Sequence, residues 1–309
     1  MKLVIIGNGF DQHFRLPTGV EDFTKLIDDY DIRNLYGCSG IYWNEYEESL
    51  SEIELESMAD SFVERPDYLS DRESDRDSGI WAAEENMSEM MSIRDDALKK
   101  MVEEANTCTE ELNIRKRFNS DSLILTFNYT STIEILFCFD TIVNIFHIHG
   151  FFEENGELVF GYSKSNYDIV SDFSSHDVIT GNYFIDKEHD RIIMEAEEYG
   201  GYDGSDYYIH EQYQRFFDFY MQNKKELRVK QLIDYILPSS KNIDEVVVLG
   251  HSMGEVDAPY FEIIEDIVKP TVWRISQYNG NPDIYDVQNY TFKNKILYFN
   301  DINSFMSDV

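Results

Sequence analysis

The chain has 309 residues, and its 60 Asp and Glu against 26 Lys and Arg give a formal charge of −34. That field repels phosphate backbones and anionic bilayers, which disfavours nucleic acid and membrane surfaces as partners. Hydrophobic residues make up 42%, with 21 Phe and 21 Tyr, enough for a packed core, yet no stretch approaches the roughly 18 apolar residues of a membrane span.

In chain order, the apolar run before Gly7 predicts a buried first strand over Leu3–Ile6, and it lacks the length and cleavage site of a signal peptide. Thr18 with Glu21 has the spacing of a capping box and predicts a helix start. Between Val20 and Phe118 no strand is expected. Helical patterns recur around 41–58 and 81–105, and the charged stretch 65–78 between them predicts an exposed loop. Residues 20–118 therefore read as a helical lobe inserted into a core made of 1–19 and 119–309. Further strands are expected at Leu123–Phe127, Val143–Ile148, Val246–Leu249, Val272–Ile275 and Ile296–Phe299. Ser131 and Glu134 predict a capped helix after the strand Leu123–Phe127. Residues 151–202 read as a loop-rich cover, and a long helix is expected from Ser205 to Leu237. The strands are continuous apolar runs, as in parallel sheets covered on both faces, so the expected class is α/β. Three widely spaced cysteines, Cys38, Cys108 and Cys138, form neither a disulfide framework nor a zinc cluster and fit a cytoplasmic protein.

Four strands end in small polar or ionisable residues, which an open parallel sheet delivers to one crevice. The first is Gly7-Asn8-Gly9-Phe10-Asp11, either a phosphate-approaching loop or an ordinary turn; Gln12 stands where a dehydrogenase fingerprint needs a third glycine. Asn128, in Phe127-Asn128-Tyr129-Thr130, faces the ligand or bonds its own loop. His147 and His149 share a strand face by the period of two, as core histidines, bases or ligands. His13, His251 and Asp257 stand at no recognised metal spacing from them, so no metal is expected. Gly250-His251-Ser252-Met253-Gly254 matches a nucleophile elbow literally. No histidine follows Ser252, however, which argues against a serine hydrolase and for a loop holding a ribose or phosphate oxygen.

Together, Gly7-Asn8-Gly9-Phe10-Asp11 with Leu16-Pro17-Thr18, Phe127-Asn128-Tyr129-Thr130, His149-Gly150, and Gly250-His251-Ser252 with Asp257 resemble the bacteriophage abortive-infection AbiH family. That family is similar, more distantly, to sirtuin-like domains. The resemblance implies a Rossmann-like three-layer core and NAD as substrate or ligand. It places Gly7 and Gly9 near the diphosphate, Asn128 and His149 as catalytic residues flanking the nicotinamide ribose, and Ser252 near the ribose or a phosphate. Asn8, Asp11, His251 and Asp257 complete the expected cofactor-binding set, with Asp11 equally readable as a cap. Thr130 stands where many such domains carry an acid, and the cysteine quartet of a structural zinc is missing. Both departures argue against protein deacylation and leave cleavage of the N-glycosidic bond of NAD. The alternatives are a non-catalytic nucleotide sensor or interaction module and, more weakly, a metal-dependent nuclease or phosphoesterase. A homo-oligomer or protein partner stays open.

Overall fold

The structure, a computed structural model, describes residues 1–27, 42–52, 62–114, 116–118, 122–139, 145–151, 158–163, 207–277, 295–299 and 302. Six strands form one all-parallel sheet: β1 (Lys2–Ile6), β3 (Ser122–Thr126), β5 (Ile145–His147), β6 (Glu245–Leu249), β7 (Val272–Ser276) and β8 (Lys295–Phe299). Their order is β5-β3-β1-β6-β7-β8. Counted among these six alone, it reads 3-2-1-4-5-6, the doubly wound order, and the chain reverses direction of winding between β1 and β6. At that reversal Ile6 stands in register with Thr126 on one side and Leu249 on the other, so the loops after three strands leave the sheet at one level.

Both faces of β1 are buried, which is why it carries no polar alternation. Leu3 and Ile5 enter one cluster with Val246, Val248 and Trp273, covered by α7 (Val229–Ile236) and α8 (Ala258–Val268). Val4 and Ile6 enter the other with Ile124, Val247 and Leu249. Phe10 of α1 (Asn8–His13) and Ile133 and Leu136 of α5 (Thr132–Leu136) cover that side. Each such Leu, Ile or Val contributes about 1.5–3 kcal/mol on burial. The α/β class and the Rossmann-like three-layer core are thus observed, with all six expected strands within a residue or two of their limits.

Further elements among the described residues are α2 (Val20–Lys25), α3 (Trp43–Ser49), α4 (Glu73–Glu111) and α6 (Tyr207–Gln222), short 3-10 turns, and a second small parallel sheet of β2 (Lys116–Phe118) and β4 (Phe137–Phe139). The chain packs as two units, one of residues 1–47, 96–163 and 225–309, the other of 48–95 and 164–224. Of the span 20–118 read as a lobe, only 48–95 groups in the second unit. Within that unit Gln212 is buried and exchanges two hydrogen bonds with the Glu64 backbone, at 2.9 and 3.0 Å, and Arg94 donates to Asn223 Oδ1 at 2.7 Å.

Several local expectations fail for physical reasons. The cap of α2 is Gly19, whose N–H is accepted by Asp22 Oδ2 at 3.0 Å, so Thr18 lies outside the helix. Ser131 makes no side-chain cap, because Glu134 is turned to His147 instead. Helix α4 begins at Glu73, inside the charged stretch expected to be a loop, since charges on an exposed first turn cost a helix little. The long helix expected over 205–237 is two, α6 and α7. Asn223 Nδ2 caps Phe219 O at 2.9 Å, and Lys225 N–H then donates to Tyr162 O at 2.8 Å, drawing the chain off the helix axis. The expected cover over 151–202 lies mostly outside the described residues. No helix among the described residues is long and apolar enough to cross a membrane.

Candidate functional site

The four strand-end segments meet around a cavity of about 480 Å³ at the carboxyl edge of the sheet, between the loops after β1 and β6. This is the switch point where ligands bind in doubly wound folds. Asn8, Gly9 and Asp11 line it from the first loop, Asn128 and Thr130 from the loop after β3, His149 from beyond β5, and His251, Ser252 and Asp257 from the loop after β6. Gly7 does not line it.

The two glycine-bearing loops hold each other. Gly7 N–H donates to Leu249 O at 3.0 Å and Gly9 N–H to Gly250 O at 2.7 Å. A Cβ on Gly9 would lie 2.8 Å from Gly250 O, and one on Gly250, at φ +64°, would lie 2.1 Å from Phe10 N. Close backbone packing therefore requires these glycines, and the two N–H groups are already used. Met253 is the other residue of the β6 loop with positive φ, at 60°, whereas Ser252 has an ordinary backbone. A nucleophile elbow strains its serine, so the literal motif is not an elbow.

Asn128 lies two residues beyond the end of β3 and lines the cavity. Its Nδ2 donates to Gly7 O at 3.2 Å, and its Oδ1 is buried with no hydrogen-bond partner. The two histidines of the His-x-His segment separate, because β5 ends at His147 and the chain turns at Ile148–His149 before Gly150 at φ 93°. His147 pairs with Glu134 Oε1 at 2.8 Å and with Asn128 O at 3.1 Å, and it fixes the Asn128 backbone without lining the cavity. His149 lines the cavity and faces Asp257 Oδ1 at 3.2 Å.

Asp257 is the hub of a buried charge network. Lys225 Nζ, fully buried, donates to Asp257 Oδ1 at 3.0 Å and to both Glu47 oxygens at 3.1 Å. Burial works to raise the Asp257 carboxyl, but Lys225 and His149 outweigh it and hold it well below its ordinary value. Burial likewise works to lower Lys225, and Asp257 and Glu47 raise it. Glu47 is pushed by burial up to about 7, against the pull of Lys225. His149 is lowered by burial and by the Lys225 charge to about 4, and so is neutral at physiological pH. An ionised Asp257 accepts from His149 Nε2–H, which leaves Nδ1 as the basic atom of that ring. His251 Nδ1 accepts from Met253 N–H at 2.8 Å, so its ring proton sits on Nε2, 3.4 Å from Asp257 Oδ2. The Lys225 ammonium bridges the two carboxylates.

Asp11 stands apart from that network. Its Oδ2 accepts from Thr130 Oγ1 at 2.7 Å, and Thr132 bonds Thr130 in turn at 3.0 Å. Its Oδ1 is buried without a partner. Burial pushes the carboxyl up to about 6 against these hydrogen bonds, with the like charge of Glu134 adding to the rise. The acid missing from position 130 is thus present beside it, supplied by α1.

Sequence reasoning brought Asn128, His149, His251, Ser252 and Asp257 to one site, and missed Lys225, Glu47 and Trp43. Trp43 closes the rim by donating to Thr18 O at 2.8 Å. A family model described as bacteriophage abortive infection AbiH matches residues 3–277 of the chain. No curated protein and no solved structure gives a match.

Proposed function

The chain belongs to the bacteriophage abortive-infection AbiH family, which assigns it to phage defence, and on that premise we propose that its cleft binds a nucleotide such as NAD and hydrolyses the N-glycosidic bond. The observation that carries this reading is that Asn128, whose buried Oδ1 has no hydrogen-bond partner, and a neutral His149 held by Asp257 line the same cavity. The cavity has the size of small-molecule sites. Its fit is to the base and ribose: no Lys or Arg side chain among the described residues lines it, and the N–H groups of Gly7 and Gly9 are spent.

Asn128 orients a ribose hydroxyl or the attacking water through Oδ1. His149 takes a proton from that water at Nδ1 as its oxygen bonds to C1′. The C1′–N bond breaks with its electron pair passing to the base, which leaves as neutral nicotinamide when the substrate is NAD. Asp257 keeps the imidazole in the tautomer that presents Nδ1, and Lys225 keeps Asp257 ionised. A positioned base contributes about 10²- to 10⁴-fold in rate when its pKa is matched to the working pH, and His149, lowered to about 4, supplies the lower part of that range.

The test is chromatography of nicotinamide and ADP-ribose after incubating purified protein with NAD. Release that disappears in Asn128→Ala and His149→Ala supports the reading. Saturable binding with no release would make the protein a nucleotide sensor.

A further inference from the structure

The three carboxylates of the cavity differ in how their charge is met. Glu47 and Asp257 share the Lys225 ammonium. Asp11 is 1% exposed; Thr130, which bonds it, and Thr132 and Asn128, which stand next to it, are neutral. Glu134, of the same sign, adds to the cost of its charge. Among the described residues no Lys or Arg side chain lines the cavity. A buried carboxylate without a cation is costly to keep charged, and perturbed groups of this kind in a cleft cluster at functional sites. Asp11 and Asn128 both line the cavity, and each has a buried Oδ1 with no hydrogen-bond partner, so two acceptors are left unmet at the site.

We infer that the site selects an N-glycoside whose base is cationic, such as an N-ribosylpyridinium, and that Asp11 is the specificity-determining residue that supplies its counter-charge. The inference rests on the reading of the cleft as an N-glycoside site and adds what that reading leaves open, the charge of the base and the part of the nucleotide that is read. The cavity reads the nucleoside, because among the described residues no Lys or Arg side chain that would hold a diphosphate lines it. Nucleotides with neutral bases, adenosine phosphates among them, are poor ligands. As the C1′–N bond breaks, positive charge moves from the base onto the ribose, and one carboxylate beside that bond serves both the bound cation and the charge that follows it.

The test is calorimetric titration of the full chain with nicotinamide riboside, NAD and their reduced dihydronicotinamide forms, which keep the shape and lose the ring charge. The oxidised forms should bind at least about tenfold more tightly than the reduced forms, with the riboside within about tenfold of NAD. Asp11→Asn should bring the oxidised and reduced forms to similar affinity. Equal affinity of the two forms in the unaltered protein overturns the inference whether or not the variant folds, as does discrimination that survives in Asp11→Asn. Discrimination without nicotinamide release upholds it and overturns the hydrolytic reading. Release without discrimination does the reverse.

Discussion

Replacing Asp11 by Asn is expected to stabilise the fold at neutral pH while it removes ligand selection. Asp11 is almost wholly buried, and burial raises its carboxyl from 3.8 to about 6. Between those values the native state keeps a proton that the unfolded chain has lost, so stability falls as pH rises through this window and the loss is complete above the folded value. A rise of that size corresponds to about 3 kcal/mol, at about 1.4 kcal/mol for each pH unit. Asn fills the same space, can still bond the Thr130 hydroxyl, and carries no charge to desolvate. The stability difference between variant and parent should therefore grow in favour of the variant by about 3 kcal/mol from pH 4 to pH 8. Urea denaturation followed by circular dichroism at several pH values measures it. A difference that does not change with pH would show that a cation within the chain already meets the Asp11 charge, and would refute the reasoning.

Lys225→Met should destabilise the protein by about 3–5 kcal/mol in urea melts, because it strands Glu47 and Asp257 together in the interior, and adding Glu47→Gln should recover part of the loss. Gly250→Ala forces a Cβ to within 2.1 Å of Phe10 N at φ +64° and should cost more than about 2 kcal/mol, read as a lowered thermal midpoint. Affinity for a pyridinium nucleoside should rise with pH through about 6, as Asp11 ionises beside Thr130, Thr132, Asn128 and Glu134. A profile that is flat across that range would contradict its role. With His149 at about 4, the catalytic base is already deprotonated there, so the acid limb of kcat/KM should follow Asp11 and not His149.

Much of the core was legible because a doubly wound sheet writes itself as apolar runs that end in Gly, Asn or His. Leu3–Ile6 and Val246–Leu249 could only be buried on both faces, and Gly7, Asn128 and Gly250 marked where they stop. The helix caps were less legible: Glu134 turned to His147, and Thr18, whose Oγ1 is buried without a hydrogen-bond partner, gave way to Gly19 bonded by Asp22. His147 and His149 looked equivalent until the turn after His147 sent one to Glu134 and the other to Asp257. Lys225 and Glu47 carried no local signal: they lie 178 residues apart, and nothing in the periodicity of either segment marks an ion pair. Asp11 was read as a cap or a pocket residue, and its partner Thr130 as a departure from pattern. Only the fold joins the two.

The most direct test of the account is to incubate the protein with NAD in water enriched in heavy oxygen and weigh the products by mass spectrometry. The account predicts nicotinamide and ADP-ribose in equal amounts, the heavy oxygen on C1′, and no products from His149→Ala. NAD left intact, or products formed equally well by that variant, would contradict it.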